Sequence, residues 1–294
     1  MNKYAVYLEW PIECFRVNAE ALAVLEGLVP AGSRVVRVRN DEEFLKELPD
    51  ATHAIVWHFH PEWFAAAKEL RVLATPSAGR ELVPIEGPEG VTVSFGGFHG
   101  KAMSETVLAY MLAWCRGILR RPGKKFWERS ELGDKCYRIS GTKAVILGYG
   151  KIGKAIGSLI ARFGARVVGI GRSNIGTLKE EVKDADWLIC VLPSDTGTDG
   201  LVSREVIGAL PERAVVINVG RGNSVDEAAL KAALQQGRIA GAILDVIGRE
   251  PPQAGDTLTT GDIPNLTVMS HSAAFYPQYV EDCFRELAEK GLLK

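Results

Sequence analysis

The chain has 294 residues, and its 35 Lys and Arg nearly balance its 36 Asp and Glu, giving a formal net charge of −1. This length suggests about two domains. A hydrophobic content of 47% with 24% charged residues is typical of globular proteins. The near-zero net charge gives no electrostatic reason to expect a nucleic-acid partner or an acidic membrane surface.

The five cysteines lie at positions 14, 115, 136, 190 and 283 and form no CxxC pair. Their odd number and wide spacing argue against a disulfide framework and a thiolate zinc site, and favour a reducing, cytoplasmic setting. No apolar run approaches the roughly 18 residues of a membrane-spanning helix. The first fifteen residues include Glu9 and Glu13, which do not fit a signal peptide.

In the first hundred residues, strand-like apolar runs alternate with helix-like segments. The predicted strands are KYAVYLEW, SRVVRVR, THAIVWHF and LRVLATP, and the predicted helices are NAEALAVLEGLV, EEFLKEL and PEWFAAAKEL. This alternation predicts a parallel sheet with helices on both faces. We interpret residues 76–100, rich in Gly and Pro, as the loop-rich edge of this unit.

After a helix predicted over about residues 101–119, the alternation resumes at Thr142. The predicted strands there are KAVILGYG, ARVVGIG, DADWLICVLP, AVVINVG, GAILDV and NLTVMS. This pattern indicates a second parallel α/β unit. The last segment, PQYVEDCFRELAEKGLLK, predicts one amphipathic helix.

A glycine-rich turn, Gly148-x-Gly150-x-x-Gly153, follows the first strand of the second unit and opens a helix. In this context the motif typically binds a dinucleotide. The glycines permit a tight turn, close approach of the pyrophosphate and close helix–strand packing, and the helix N-terminus attracts the phosphates. The alternative is a purely structural turn.

The identity of the dinucleotide is indicated by the next strand, which ends Gly171-Arg172-Ser173. NAD sites usually carry Asp or Glu about 20 residues after the turn, and none stands at this strand end. Arg172 can pair with a 2′-phosphate, which a carboxylate would repel. We therefore expect preference for NADP(H), with NAD(H) possible; the alternative for Arg172 is an exposed loop arginine.

Polar residues follow three later strands, where the ligand crevice of a parallel sheet lies. Arg221 follows the AVVINVG strand and His271 follows NLTVMS. Asp245 ends GAILDV, and Glu250 comes five residues later. Taken singly, these are a loop cation, a strand-end histidine and a surface carboxylate.

Together, these residue types suit reduction of a 2-oxo acid. Arg221 would bind the substrate carboxylate and polarise its carbonyl. His271 would donate a proton to the carbonyl oxygen, while Glu250 would orient the ring and favour its protonated form.

With these motifs the chain resembles the D-isomer-specific 2-hydroxyacid dehydrogenases, which include glyoxylate/hydroxypyruvate reductases. The resemblance covers most of the chain and is strongest between Gly141 and Ala274, in the blocks GTKAVILGYGKIGKAIG, DADWLICVLPSDTGTDGL, VVINVGRGNSVDEAAL, GRIAGAILDV, EPP and PNLTVMSHSAA. It implies an α/β fold of two doubly wound parallel-sheet domains. A Rossmann-type cofactor domain (101–274) is expected to be inserted into a flavodoxin-like substrate domain (1–100 plus 275–294). It also implies a homodimer.

The resemblance assigns Arg221, Glu250 and His271 as catalytic and Asp245 as the contact of the nicotinamide carboxamide. Together with the glycine-rich turn and the strand end after it, it gives a larger set of expected cofactor-binding residues: Gly148, Tyr149, Gly150, Lys151, Ile152, Gly153, Arg172, Ser173, Val191, Leu192, Pro193, Val219, Gly220, Asp245, His271 and Ala273.

The sequence departs from the family pattern in the substrate loop, where Ser77 stands in place of the first of two glycines. We expect the backbone N–H groups of Ala78 and Gly79 to bind the substrate carboxylate together with Arg221. Arg80 either points away or recognises a second acid group. At the predicted hinge, His99 stands where many relatives have Asn.

His58 and His60 alternate at a strand end and therefore share a face. No acidic residue lies at ligand spacing from them, and the expected chemistry needs no metal, so we expect no metal site. The segment WHFHPEW either lines the substrate cleft, with Trp57, Phe59 and Trp63 as apolar walls, or only packs in the core.

These observations predict an NADP(H)-preferring oxidoreductase that reduces a small 2-oxo acid, with glyoxylate or hydroxypyruvate first, to the D-2-hydroxy acid. Two alternatives remain open. One is an NAD-linked D-lactate-type dehydrogenase, and the other is a dinucleotide-sensing, corepressor-like binding protein with little turnover.

Overall fold

The computed structural model describes residues 1–84, 86–120, 135–259 and 263–294. These residues form two compact units. One consists of Met1–His99 and Phe275–Lys294, and the other of Gly100–Ala274. Each unit contains a parallel sheet, so the predicted class of two parallel-sheet α/β domains is confirmed.

The elements of regular structure are numbered in chain order. The strands are β1 (Lys3–Tyr7), β2 (Arg34–Arg37), β3 (His53–Val56), β4 (Val72–Thr75), β5 (Thr92–Phe95), β6 (Lys143–Leu147), β7 (Arg166–Ile170), β8 (Trp187–Cys190), β9 (Val215–Asn218), β10 (Gly241–Leu244) and β11 (Leu266–Val268). The helices are α1 (Ala19–Leu28), α2 (Asp41–Glu47), α3 (Gly100–Cys115), α4 (Lys151–Arg162), α5 (Leu178–Glu181), α6 (Arg204–Ala209), α7 (Glu227–Gln235) and α8 (Tyr279–Glu289).

The first unit holds a sheet of order β2-β1-β3-β4-β5 in which all neighbours are parallel. The chain adds β2 on one side of β1 and then β3 to β5 on the other side, so the strand order reverses between β1 and β3. Doubly wound sheets bind ligands at this position. Asn18 and Asn40 start α1 and α2 by accepting the N–H of Ala21 and of Glu43. Both helices therefore begin at a side-chain cap that the sequence supplies.

Two predictions for the first unit are wrong in part. Residues 76–100, expected to be loop, contain β5, because Thr92–Phe95 pairs in parallel with β4 at the sheet edge. The flanking Gly and Pro residues concealed this short strand. The helix expected in PEWFAAAKEL is only a 3₁₀ turn over Pro61–Ala65, since the following N–H groups of Ala66 and Ala67 bond three residues back rather than four.

The second unit holds a sheet of order β11-β10-β9-β8-β6-β7, again parallel throughout. β6, β8, β9 and β10 are buried along their whole length, which explains their continuous apolar sequences. The strand order reverses between β6 and β8. The loops after these two strands therefore flank the position where a parallel sheet presents its ligand crevice.

Within the described ranges, no helix is long and apolar enough to cross a membrane.

His53 lies in the core of the first unit, stacked on Tyr4 with ring centroids 4.3 Å apart. Its Nδ1 is 2.8 Å from the Thr52 hydroxyl. Burial, helped by the positive charge of Arg71, lowers the pKa of His53 to about 4. The folded protein therefore keeps this ring neutral at pH values where an unfolded chain protonates it.

This difference predicts a pH-dependent stability. Between about pH 6.5 and pH 4 the unfolded chain binds the extra proton, so the free energy of unfolding falls as the pH is lowered through this window. His53→Gln should flatten that slope in urea titrations, whereas His60→Gln, at an exposed ring, should keep it. Equal slopes for the wild type and His53→Gln would contradict the assignment.

Candidate functional site

The glycine-rich turn joins β6 to α4. Gly148 has a φ of +97°, and a Cβ there would lie 2.5 Å from the carbonyl oxygen of Val191. A Cβ on Gly153 would lie 2.3 Å from the carbonyl oxygen of Gly148. Both positions therefore require glycine for packing alone. Gly150, the N-cap of α4, faces open space, so its missing side chain leaves room for another molecule to approach the backbone.

The loops after β8 and β9 pack against this turn and against each other. Val191 follows β8 and donates its N–H to the carbonyl of Leu147 at 2.8 Å. A Cβ on Gly220 would lie 2.5 Å from the amide nitrogen of Leu192. The structure therefore brings three segments predicted to bind cofactor to one place at the β6/β8 switch point: Gly148–Gly153, Val191–Pro193 and Val219–Gly220.

Tyr149 plays a packing role inside the turn. A Cβ on Gly169 would lie 2.3 Å from its ring, and one on Gly157 would lie 3.0 Å from its hydroxyl oxygen. The Tyr149 ring thus fills the space that these two glycines leave between α4 and β7.

Arg172 starts the 3₁₀ turn after β7, and its side chain is 95% exposed. Its guanidinium lies 3.5 Å from a carboxylate oxygen of Asp195, and the other oxygen of Asp195 accepts the Gly197 N–H. The strand that ends before Arg172 carries no carboxylate, and no local pattern points to Asp195, because it comes 23 residues later in the loop after β8. Arg172 and Asp195 together form an exposed, weakly paired group.

Arg221 follows β9 in a loop fixed by Asn218. The Asn218 side chain accepts the Gly220 N–H and donates to the Arg221 carbonyl, each at 3.0 Å. The Ser224 hydroxyl donates to the same carbonyl at 2.7 Å. These bonds hold the backbone on both sides of Arg221. The half-buried guanidinium donates to the Gly220 carbonyl at 3.0 Å.

Glu250 and His271 form a hydrogen-bonded pair. The Nδ1 of His271 lies 2.7 Å from one carboxylate oxygen of Glu250, and the other oxygen accepts the Ile247 N–H at 3.0 Å. Burial alone would raise the pKa of Glu250. The bonds from His271 and Ile247 and the positive charge of Arg221 outweigh that effect and lower the pKa, so Glu250 is a carboxylate at neutral pH.

Asp245, directly after β10, is 1% exposed and organises the His271 loop. One carboxylate oxygen accepts the Tyr110 hydroxyl at 3.2 Å and the Ser272 N–H at 3.0 Å, and the other accepts the Ala273 N–H at 2.9 Å. The Asp245 carbonyl accepts the His271 N–H at 2.8 Å. His271 has a φ of +52°, a left-handed conformation that these bonds hold in place.

The expected substrate loop belongs to the first unit. The Gly79 N–H donates to the Ser77 hydroxyl at 3.1 Å, so the residue that replaces a family glycine engages one of the two expected carboxylate donors. The Arg80 guanidinium lies over the Phe95 ring, 5.6 Å from its centroid.

The aromatic residues of WHFHPEW pack within the first unit. Phe59 and Trp63 are 2% and 8% exposed and belong to its hydrophobic core. Trp57 donates its ring N–H to the carbonyl of Phe15 at 2.8 Å. For Phe59 and Trp63, the packing alternative agrees with the structure.

Tyr110 and Asn218 support the candidate site but were not predicted from the sequence. Tyr110 is buried in α3, 135 residues before its partner Asp245, so no local pattern links the two. Asn218 offered a weak signal, since a polar residue ends the otherwise apolar strand β9.

Asp245→Asn replaces one carboxylate oxygen by an NH₂ group, which cannot accept the N–H of Ser272 or Ala273. Because one buried donor then has no acceptor, the free energy of unfolding is expected to fall by about 1–3 kcal/mol. Tyr110→Phe removes only the hydroxyl bond and should cost about 0.5–1.5 kcal/mol. Urea titrations at pH 7 measure both. An Asp245→Asn protein as stable as the wild type would contradict this role.

Comparison with known proteins agrees with this architecture. Residues 108–273, more than half of the chain, match the family model of the D-isomer specific 2-hydroxyacid dehydrogenase NAD binding domain. The glycerate dehydrogenase of Methylorubrum extorquens is 29% identical over 218 residues, which cover 70% of this chain and 69% of the relative. The glyoxylate/hydroxypyruvate reductase B of Pectobacterium carotovorum is 28% identical over 275 residues, covering 85% and 76% respectively.

Among solved structures, the NADPH-dependent glyoxylate/hydroxypyruvate reductase of Sinorhizobium meliloti, in complex with NADP and sulfate, superimposes with a TM-score of 0.78. It is 24% identical, and the match covers 99% of this chain and 96% of that chain. At this level of identity, the likeness shows that the two proteins share a fold. The resemblance predicted from the sequence motifs is confirmed: the chain belongs to the family of D-isomer-specific 2-hydroxyacid dehydrogenases, which are NAD(P)-dependent oxidoreductases.

Proposed function

We propose that this protein is an NADP(H)-preferring reductase that converts a small 2-oxo acid, with glyoxylate and hydroxypyruvate as first candidates, to the D-2-hydroxy acid. The observation that carries the proposal is the 2.7 Å bond between Glu250 and His271, with the charge of Arg221 acting on the same carboxylate. An acid, its orienting partner and an anion-binding cation thus belong to one unit and follow neighbouring strands of one sheet.

The two units take the two roles that the family pattern assigns. Gly100–Ala274 is the cofactor domain, and the segments on either side of it form the substrate domain. The protein acts as a homodimer in the cytoplasm, with no nucleic-acid or membrane partner. No metal ion takes part in the reaction.

The residues of the glycine-rich turn fit a dinucleotide. The open space at Gly150 suits a pyrophosphate, which would contact Tyr149, Lys151 and Ile152. The first-turn N–H groups of an α-helix lack intrahelical partners and attract such an anion. Arg172 and Ser173 would hold a 2′-phosphate. The remaining cofactor contacts would come from the loop residues Val191, Leu192, Pro193, Val219, Gly220, Asp245, His271 and Ala273.

The nicotinamide ring, when bound, supplies the hydride that reduces the substrate carbonyl carbon. Arg221 binds the substrate carboxylate with charge-assisted hydrogen bonds and draws electron density toward the carbonyl oxygen. In the substrate loop of the first unit, the Ala78 N–H is a further proposed donor to an acid group of the substrate, whereas the Gly79 N–H is engaged by the Ser77 hydroxyl. The substrate is thereby held with its carbonyl oxygen toward His271.

His271 supplies the proton. Since Glu250 engages Nδ1, the ring atom left for the substrate is Nε2. The Nε2 proton moves to the carbonyl oxygen as the carbon gains the hydride, so the carbonyl becomes a hydroxyl and the ring becomes neutral. The Glu250 carboxylate keeps the ring oriented through this step, and the Asp245 carboxylate keeps the loop in place.

Asp195 gives a second candidate function a specific basis. A carboxylate 3.5 Å from Arg172 can accept hydrogen bonds from the ribose hydroxyls of NAD and weakens the attraction of Arg172 for a phosphate. The second candidate is therefore an NAD-linked dehydrogenase of the D-lactate type, on the same catalytic residues.

His271→Gln tests the acid directly. The variant is expected to lower kcat for 2-oxo acid reduction by about 100-fold or more, the usual contribution of a general acid. Its affinity for NADPH, measured by fluorescence titration, should stay within about threefold of the wild type, because the dinucleotide keeps its other contacts.

Two further variants sharpen this test. Glu250→Gln should also lower kcat, but by less, because the amide still orients the ring. Glu180→Gln changes an exposed carboxylate paired with Lys183 and should leave turnover unchanged. Full turnover by His271→Gln would overturn the proposed mechanism.

Arg172→Ala tests the cofactor preference. The variant should bind NADPH about tenfold more weakly or worse, the value of a charge-assisted pair, with NADH affinity little changed. Asp195→Asn should strengthen NADPH binding, because it removes the competing carboxylate. Arg166→Ala, which loses an exposed pair with Asp184, is the matched control. Equal loss of NADPH and NADH affinity in Arg172→Ala would favour the NAD-linked candidate.

A further inference from the structure

A second group of ligand-type side chains lies in the first unit, and none of its members is a residue of the proposed dehydrogenase mechanism. Asp41, His58 and His60 each offer a ligand atom, and these three atoms all lie within 4.8 Å of one another. The Nε2 of His58 is 3.2 Å from a carboxylate oxygen of Asp41. From the sequence we expected no acidic partner for the two histidines, but α2 supplies Asp41, which lies 17 residues before His58 in the chain.

The position of this group follows from the sheet topology. Asp41 opens α2 shortly after β2, and His58 and His60 follow β3, so all three stand at the carboxyl edge of the sheet. β1 lies between β2 and β3, and the doubly wound order reverses between β1 and β3. Open parallel sheets bind their ligands at such an edge.

Neighbouring aromatic residues hold the three side chains. The Tyr7 hydroxyl donates to Asp41 at 2.9 Å, which is the kind of outer hydrogen bond that orients a ligating carboxylate. The His58 ring meets the Tyr7 ring edge-on, with centroids 5.2 Å apart. The His60 ring packs edge-on against the buried Trp63, with centroids 4.6 Å apart. Each of the three candidate ligands therefore contacts Tyr7 or Trp63.

The donor atoms point to a class of ion. Two imidazole nitrogens and one carboxylate oxygen suit Zn²⁺, Co²⁺, Ni²⁺ or Cu²⁺, whereas Mg²⁺ and Ca²⁺ prefer oxygen ligands alone. Bonds of about 2.0–2.2 Å to zinc place tetrahedral ligand atoms about 3.3–3.6 Å apart. The Asp41–His58 separation of 3.2 Å is close to this value, and the ligand atom of His60 lies within 4.8 Å of both of the others.

We propose that Asp41, His58 and His60 bind one divalent transition-metal ion, with Zn²⁺ as the first candidate. Three protein ligands leave a fourth position for water or for an acid group of a bound molecule. This proposal does not rest on the proposed oxidoreductase activity.

Calorimetric titration of the chelator-treated full chain with Zn²⁺ measures the site. The wild type should bind one ion, and His60→Ala and Asp41→Asn should each bind it at least about tenfold more weakly. Glu42→Gln, which changes the neighbouring exposed carboxylate paired with Lys46, should bind as the wild type does. His271→Gln controls for an exposed imidazole outside the group and should also bind normally.

Visible absorption of the Co²⁺-loaded chain identifies the ligand atoms. Cys14 and Cys136 are partly exposed thiols and are the competing ligands. The proposal predicts the ligand-field bands of a nitrogen and oxygen site, without thiolate charge-transfer absorption, and loss of these bands in His60→Ala. Thiolate bands, or Zn²⁺ affinity unchanged in both His60→Ala and Asp41→Asn, would overturn it.

Discussion

The buried carboxylate of Asp245 is the interaction on which the candidate site depends most. It sits directly after β10, is almost fully shielded from water, and accepts hydrogen bonds from Tyr110, Ser272 and Ala273. A buried charge is tolerated only when its oxygens are well satisfied, so these donors must stay in place. The backbone that carries His271 is thereby tied to the end of a central strand, although it is itself outside regular structure.

The parallel sheet brings the other residues of the candidate site to the same edge as Asp245. Because β6, β8, β9 and β10 all end at the same edge, the loops that follow them meet there. Their backbones approach so closely that Gly148, Gly153 and Gly220 leave no space for a Cβ. The strands of the first unit also end at one edge of their sheet, and Asp41, His58 and His60 lie close together there, with Tyr7 bonded to Asp41.

The sequence predicted most of what depends on local pattern. Buried strands such as β6 and β9 are continuous apolar runs, and the glycine spacing marked the start of α4, so these elements and the sheet class were confirmed. Contacts between distant segments left no such pattern. Tyr110 bonds Asp245 from 135 residues away. Asp195 lies 23 residues after its partner Arg172, and His58 lies 17 residues after its partner Asp41. The short edge strand β5 was hidden by the Gly and Pro around it.

The proposed function is the reduction of 2-oxo acids with a nicotinamide cofactor. Loss of NADPH absorbance with glyoxylate, hydroxypyruvate, pyruvate, phenylpyruvate and oxaloacetate, with NADH in parallel and chiral analysis of any chiral product, tests it most directly. We expect rapid oxidation of the cofactor with at least one small acid, faster for NADPH than for NADH, and only the D-hydroxy acid as a chiral product. Tight NADPH binding without turnover of any acid, or formation of the L-product, would contradict it.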